Sequence, residues 1–227
     1  MTKTNANAII LFARDPVAGQ VKTRLHPYLD QDTIFRLYLC FLNDSLGILG
    51  KVKNADRFAG VYPSSQSGFF PRLRTDASLA VFDQEGGDLG ERMKNAFQER
   101  IKEGYRRVVI IGSDSPSLPA AHIEKALASD KDVVIGPSAD GGYYLIGMGP
   151  KLVDVFAGVA WGSDAVLAQT LDRLRSTDCS LELLPPWYDV DRPEDLKFLK
   201  AHLGLMQYAG LDEAASTREF LMNLELD

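Results

Sequence analysis

Cysteine is scarce in this sequence, and the two present, Cys40 and Cys179, stand far apart. They form neither a CxxC redox pair nor a metal-ligand cluster, so they read as reduced intracellular thiols, with Cys40 in the core run Leu39-Cys40-Phe41-Leu42. Basic charge is also short, with 25 Lys and Arg against 31 Asp and Glu and a net charge of −6. A duplex-binding surface needs a basic stripe that displaces counterions, which excludes nucleic acid as a partner and leaves room only for a local basic pocket. Long apolar runs are missing as well. The stretch from Ala8 to Ala13 is too brief for a membrane span and has no cleavage-type region after it, so the expectation is a cytoplasmic protein. No repeat, low-complexity tract or Pro/Ser-rich linker divides the 227 residues. One core is expected over 1–204, with a helical extension of the same domain over 205–227.

What is present is a rhythm of short apolar runs alternating with amphipathic stretches, as an open sheet flanked by helices requires. Strands are predicted at Ala8–Ala13, Phe58–Tyr62, Leu79–Phe82, Arg107–Ile111, Val133–Gly136, Tyr143–Met148 and Leu181–Leu184. Helices are predicted at Thr33–Leu49, Leu89–Glu103, Ala120–Ala128, Asp164–Arg175 and Pro193–Leu203. The uniformly apolar Val108-Val109-Ile110-Ile111 and Val133-Val134-Ile135 suit parallel strands covered on both faces, giving a mainly parallel α/β sheet. The stretch from Tyr62 to Asp76 is irregular and reads as a surface excursion.

Ligands of open α/β sheets bind outside the carboxyl ends of the strands, where four clusters fall. After the first strand come Arg14, Gly19, Lys22 and Arg24, three cations and a flexible glycine able to wrap a diphosphate. The spacing of Gly19 and Lys22 excludes a Walker A loop, and the same residues would also serve as a solvated loop. Gly112-Ser113-Asp114-Ser115-Pro116 closes the most apolar strand. Asp114 there suits either a hard cation such as Mg²⁺ or Mn²⁺, or a helix cap. Ser138-Ala139-Asp140-Gly141-Gly142-Tyr143-Tyr144 reads equally as a tight hairpin and as a sugar site, with hydroxyls on Asp140 and a ring face on a tyrosine. In Tyr188-Asp189-Val190-Asp191-Arg192-Pro193-Glu194-Asp195, capping alone explains the local structure, but Asp189 and Asp191 alternate along an extended segment and are expected to point oppositely.

Taken in order, the segments from Phe12 through Leu25, Asp88-Leu89-Gly90-Glu91-Arg92-Met93, Gly112 to Pro116, Asp140 to Tyr144 and Trp161-Gly162 resemble the glycosyltransferase-like family described as radical-SAM/selenodomain-associated transferase 1 (DUF2064). The resemblance spans about Ala8 to Leu203 and touches the molybdenum-cofactor and phospholactate guanylyltransferases. It implies a three-layer α/β/α, Rossmann-like fold with a mainly parallel mixed sheet, that of the nucleotide-diphospho-sugar transferases. It also implies a nucleotide over the first loop with Asp88 near it, and a divalent cation on Asp114 with Asp191 as second carboxylate. The aspartate-threonine-proline of the related nucleotidyltransferases is Asp191-Arg192-Pro193 here, which removes a capping hydroxyl.

The expected activity is metal-dependent transfer from a nucleotide-activated sugar to an acceptor left open. Lys22, Arg24 and the cation would stabilise the departing nucleoside diphosphate, and Asp140 would act as acid or base toward the acceptor. Gly141, Gly142, Tyr143, Tyr144 and Trp161 would line the acceptor. Two alternatives stay open: a nucleotidyltransferase that uses a nucleoside triphosphate and releases pyrophosphate, and a non-catalytic nucleotide-sugar binding module. A homodimer is likewise left open.

Overall fold

Strands that are apolar on both faces demand cover on both faces, and the computed structural model, which describes residues 3–66, 68–73 and 78–226, supplies it. The strands are β1 (Asn7–Arg14), β2 (Ala55–Tyr62), β3 (Leu79–Asp83), β4 (Arg107–Gly112), β5 (Val133–Pro137), β6 (Tyr143–Met148) and β7 (Leu181–Leu183). The helices are α1 (Gln31–Lys51), α2 (Phe70–Leu73), α3 (Leu89–Lys102), α4 (Ala120–Ala128), α5 (Val166–Arg175), α6 (Pro193–Tyr208) and α7 (Ala215–Met222). Among the described residues they form a seven-stranded sheet in the order β3-β2-β1-β4-β6-β5-β7. β6 runs antiparallel to its neighbours β4 and β5, while the other pairings are parallel.

Alternation along the central strands divides the core in two. Ile9, Leu11, Val109 and Ile111 join the cluster that also holds the buried residues of α1, α4, α6 and α7. Ala8, Ile10, Val108 and Ile110 face the other cluster, with Met93, Ala96 and Phe97 of α3 and Leu174 of α5. The three-layer α/β/α architecture follows from these two faces. α1 is the principal brace on the first side. Asp30 caps it by accepting the Asp32 and Thr33 N–H groups at 3.0 Å each. Its stripe Ile34, Leu37, Tyr38, Phe41 and Leu42 is buried, each large apolar side chain contributing about 1.5–3 kcal/mol.

The C-terminal stretch holds the end of one helix and the whole of another. Residue 205 lies inside α6, which ends at Tyr208 before Gly210, at φ +78; α7 then packs back on α1. The irregular stretch after β2 contains the four-residue α2, and its residues 67 and 74–76 lie outside the described residues. No helix of the described residues is long and apolar enough to cross a membrane.

One buried carboxylate ties the start of the chain to the sheet. Asp56, at the head of β2, accepts from Thr4 N at 2.9 Å, Asn5 Nδ2 at 2.7 Å and the Tyr105 hydroxyl at 2.7 Å. Burial opposes its charge, but the bonds from Thr4, Tyr105 and Asn5 outweigh that and hold the carboxyl well below the usual carboxylate range. A group depressed in this way contributes its stability in full above the unfolded value of about 3.9, and the contribution is lost as pH falls below it. Asp56→Asn is expected to lower unfolding free energy by about 1.5–3 kcal/mol at neutral pH. Urea unfolding at a series of pH values should show the gap from the unaltered protein narrowing below about pH 4; a gap constant down to pH 2 would contradict the assignment.

Candidate functional site

The sheet reverses its order between β1 and β4. From β1 the chain proceeds to β2 and β3 on one side, then returns to place β4 on the other. The loops leaving β1 and β4 therefore diverge, and their carboxyl ends are where an open α/β sheet places its ligand crevice. Tyr38 of α1 pins this floor. Its hydroxyl accepts the Arg14 N–H at 3.0 Å, lies 3.1 Å from the Arg14 carbonyl and 3.3 Å from Ser113 Oγ. Burial first, then the nearby Asp114 charge, pushes its phenol up to about 12.

The loop after β1 is drawn tight, with Gly19 at φ +79 and a single 3-10 turn at Thr23–Leu25. Lys22 opens that turn at φ 47, ψ 41, in the left-handed region, where a side chain costs about 1–2 kcal/mol. Such a conformation persists only when its surroundings impose it, and here the Lys22 ammonium imposes it. Nζ pairs with Asp114 Oδ1, with Asp191 Oδ1 at 2.9 Å and with the Val190 carbonyl at 2.7 Å. The ring of Phe41 lies 5.5 Å away. An ammonium has three N–H donors, and all three are engaged. The side chain is 4% exposed. Burial works against its charge, but Asp114 and Asp191 prevail and hold it above the ordinary lysine range.

Asp114 and Asp191 thus meet across one cation, although they leave different elements. Asp114 follows β4, and Val190 N donates to its carbonyl at 3.0 Å, joining the segment before α6 to this loop. Arg24 reaches Asp191 Oδ2 at 3.0 Å while remaining 57% exposed. Together with the exposed Arg14, it turns the positive charge of this loop toward water. The hydroxyl cap missing before α6 is replaced by Asp195, whose Oδ2 accepts from Asp191 N at 3.0 Å and Arg192 N at 2.8 Å. Asp189 and Asp191 take different partners, as alternation requires, yet both approach the loop after β4. Ser115 Oγ donates to Asp189 Oδ1 at 2.9 Å. Burial, with the Asp140 and Asp114 charges added, pushes the Asp189 carboxyl up to about 6.

The Asp140 turn closes the β5–β6 hairpin. Asp140 Oδ1 accepts the Gly142 N–H at 2.9 Å, so half of this carboxylate organises its own turn. Gly141, at φ +91, lies where an added Cβ would stand 2.3 Å from the Asp164 carbonyl ahead of α5. Gly142 is half-buried beside it.

Two expectations change. Tyr144 does not line an acceptor: on β6 it points to the α4 side, is buried, and its hydroxyl contacts His122 Nδ1 and the Pro185 carbonyl at 2.9 Å each. Tyr143 and Trp161 belong to the opposite cluster, with ring centroids 6.2 Å apart. Trp161 lies so close to the start of α3 that a Cβ on Gly90 would fall 2.3 Å from its Nε1, which explains the glycine there. Asp88 is the cap of α3, its Oδ1 accepting the Glu91 N–H at 2.8 Å. Tyr38 is a site support that no local motif announces, since its place on the buried stripe of α1 marks it as core.

A divalent cation fits the donor chemistry. Mg²⁺ and Mn²⁺ take carboxylate and phosphate oxygens, Mg²⁺ usually with one or two protein carboxylates and several waters. Asp114 and Asp191 already share one cation, the Lys22 ammonium, which stands where such an ion would bind. Among the described residues, no group of three or more His, Cys, Asp or Glu could hold a metal.

Comparison with known proteins gives the following. Residues 51–163 match the family "Uncharacterized protein conserved in bacteria (DUF2064)". The crystal structure of a "putative nucleotide-diphospho-sugar transferase" from Desulfovibrio desulfuricans G20 superposes with a TM-score of 0.86 at 33% identity, covering 99% of this chain and 100% of that one. A cytidylyltransferase from Leptospira borgpetersenii has a TM-score of 0.56 at 13% identity, covering 99% of this chain and 100% of that one. The inositol-1-phosphate CTP transferase from T. maritima has a TM-score of 0.55 at 14% identity, covering 93% and 100%. At such identities the last two show a shared fold. No curated protein matches the sequence.

The hairpin is testable by contrast. Gly141→Ala is expected to cost about 2–3 kcal/mol, because both backbone strain and the Asp164 carbonyl oppose the new methyl. Gly142→Ala meets only the Asp140 side chain, at 3.3 Å, and is expected to cost less than about 1 kcal/mol. Equal melting temperatures for the two variants would contradict this reading.

Proposed function

Because the chain belongs to the DUF2064 family and has the nucleotide-diphospho-sugar transferase fold, we propose that it transfers a group from a nucleotide-activated sugar, bound in the crevice between the β1 and β4 loops. The supporting observation is the convergence of Asp114 and Asp191 on one cation above the switch point of the sheet. Two carboxylates brought there from distant parts of the chain would hold a divalent ion together with diphosphate oxygens. When bound, that ion supplies positive charge against which the nucleoside diphosphate leaves.

The chain's own residues divide the remaining work. Arg24 and Arg14 face water at the crevice and would receive phosphate oxygens through charge-assisted bonds, each worth about 1.5–3 kcal/mol. Asp140 presents its remaining oxygen from a turn held by Gly142 N–H, positioned to orient or deprotonate an acceptor hydroxyl. Asp189, with its carboxyl pushed up to about 6, adds to the acidic wall between Asp114 and Asp140.

Thermal-shift screening with nucleotides and nucleotide sugars, with and without Mg²⁺ or Mn²⁺, identifies the donor, since a ligand selective for the folded state raises its melting temperature. Product analysis then decides the reaction. Release of a nucleoside diphosphate is expected; release of pyrophosphate from a triphosphate would make the protein a nucleotidyltransferase, and selective binding without turnover a binding module. Asp114→Asn is expected to retain the fold and to weaken metal-dependent nucleotide binding by at least about tenfold. Unchanged affinity in calorimetry would remove Asp114 from the metal site.

A further inference from the structure

Lys22 holds the position that a divalent cation on Asp114 and Asp191 would need. Its ammonium is buried, its three donors end on Asp114, Asp191 and the Val190 carbonyl, and its backbone is left-handed without being glycine. The two loops do not need Lys22 to stay together, because Val190 N donates to the Asp114 carbonyl and Ser115 Oγ to Asp189. Asp191 also keeps Arg24 on its second oxygen. The ammonium can thus leave while these backbone and side-chain bonds keep the segments that carry the two carboxylates in place.

We propose that Lys22 is an exchangeable internal counter-ion, which a divalent cation displaces from Asp114 and Asp191, and which then turns outward to the phosphate arriving with that cation. The proposal rests on the reading that these two carboxylates take a divalent ion. Its physical basis is charge balance. An ammonium and a metal ion cannot both lie between the same oxygens, and like charges at that spacing repel. A metal ion alone must therefore expel a buried, paired ammonium with nothing to receive it. A metal ion entering with a diphosphate supplies a new anion for Lys22, whose flexible four-carbon stem carries a compact charge able to move between partners. Metal and nucleotide then bind with positive coupling, each strengthening the other by the same factor. The arrangement would make free metal bind weakly, displacing Lys22 only at high concentration, and the metal-bound donor bind tightly.

The test uses Mn²⁺ as the probe, in two measurements on the full chain. Mn²⁺ binding without nucleotide, followed by electron paramagnetic resonance, is compared between the unaltered protein, Lys22→Met and Asp114→Asn. Acetylation of Lys22 in the unaltered protein by an N-hydroxysuccinimide ester is followed by peptide mass spectrometry, with Mn²⁺ or with NaCl of equal ionic strength. Expected are at least tenfold tighter Mn²⁺ binding in Lys22→Met, loss of that binding in Asp114→Asn, and a several-fold rise in Lys22 labelling with Mn²⁺ but not with NaCl. Asp114-dependent Mn²⁺ binding that Lys22→Met leaves unchanged, with Lys22 still protected at saturation, would overturn the exchange and leave the metal site standing. Absence of Asp114-dependent binding in both the unaltered protein and Lys22→Met would overturn both. If Lys22→Met does not fold, the labelling of the unaltered protein decides alone.

Discussion

The buried ammonium of Lys22 is the contact that balances the charge of the acidic groups gathered over the sheet. It joins three segments that are remote in sequence: the loop after β1, the loop after β4 and the extended segment ahead of α6. Removing one partner of such a group leaves an uncompensated charge away from water and typically costs about 3–5 kcal/mol. The left-handed backbone at Lys22 is a local expense that these ion pairs offset. Among the described residues, the exposed Arg24 of the same loop also reaches Asp191, and the Val190 N–H bond to the Asp114 carbonyl keeps the other two segments together.

The fold prepares this meeting. Parallel strands β1 and β4 lie side by side in register, from Asn7 opposite Arg107 to Phe12 opposite Gly112, so both following loops start at one height. α1, capped by Asp30, returns beneath them and delivers Tyr38 to the Arg14 backbone and Phe41 to the Lys22 side chain. The apolar stripe that secures α1 to the sheet thus also carries two site supports. Acidic groups accumulate at one spot, and the sheet tolerates them because each has a local donor: Lys22 and Arg24 for Asp191, Ser115 for Asp189, Gly142 N–H for Asp140.

Much of this architecture is legible in the sequence, because apolar runs bounded by turn residues carry their own strand boundaries. The extent of α4, Ala120–Ala128, follows from Pro119 before it and the polar residues after it. Breaks and pairings set by tertiary structure are not legible in that way. The stop at Gly210 that divides α6 from α7 is one case. The contact between Lys22 and Asp191, 169 residues apart, is another, since no local spacing announces it. Tyr143 and Tyr144 look alike as neighbours in sequence, but strand alternation sends them to opposite cores. Asp140 shows the converse: turn chemistry explains its immediate bond, as the hairpin reading of Asp140-Gly141-Gly142 anticipates.

The central claim is that Lys22 is the internal counter-ion of Asp191, so that the two are energetically coupled. A double-mutant cycle of Lys22→Met and Asp191→Asn, read by urea unfolding at neutral pH, measures that coupling directly. The account predicts a coupling energy of about 2 kcal/mol or more, with the double variant more stable than the sum of the single losses implies. A coupling within about 0.5 kcal/mol of zero, the value expected of independent sites, would contradict it.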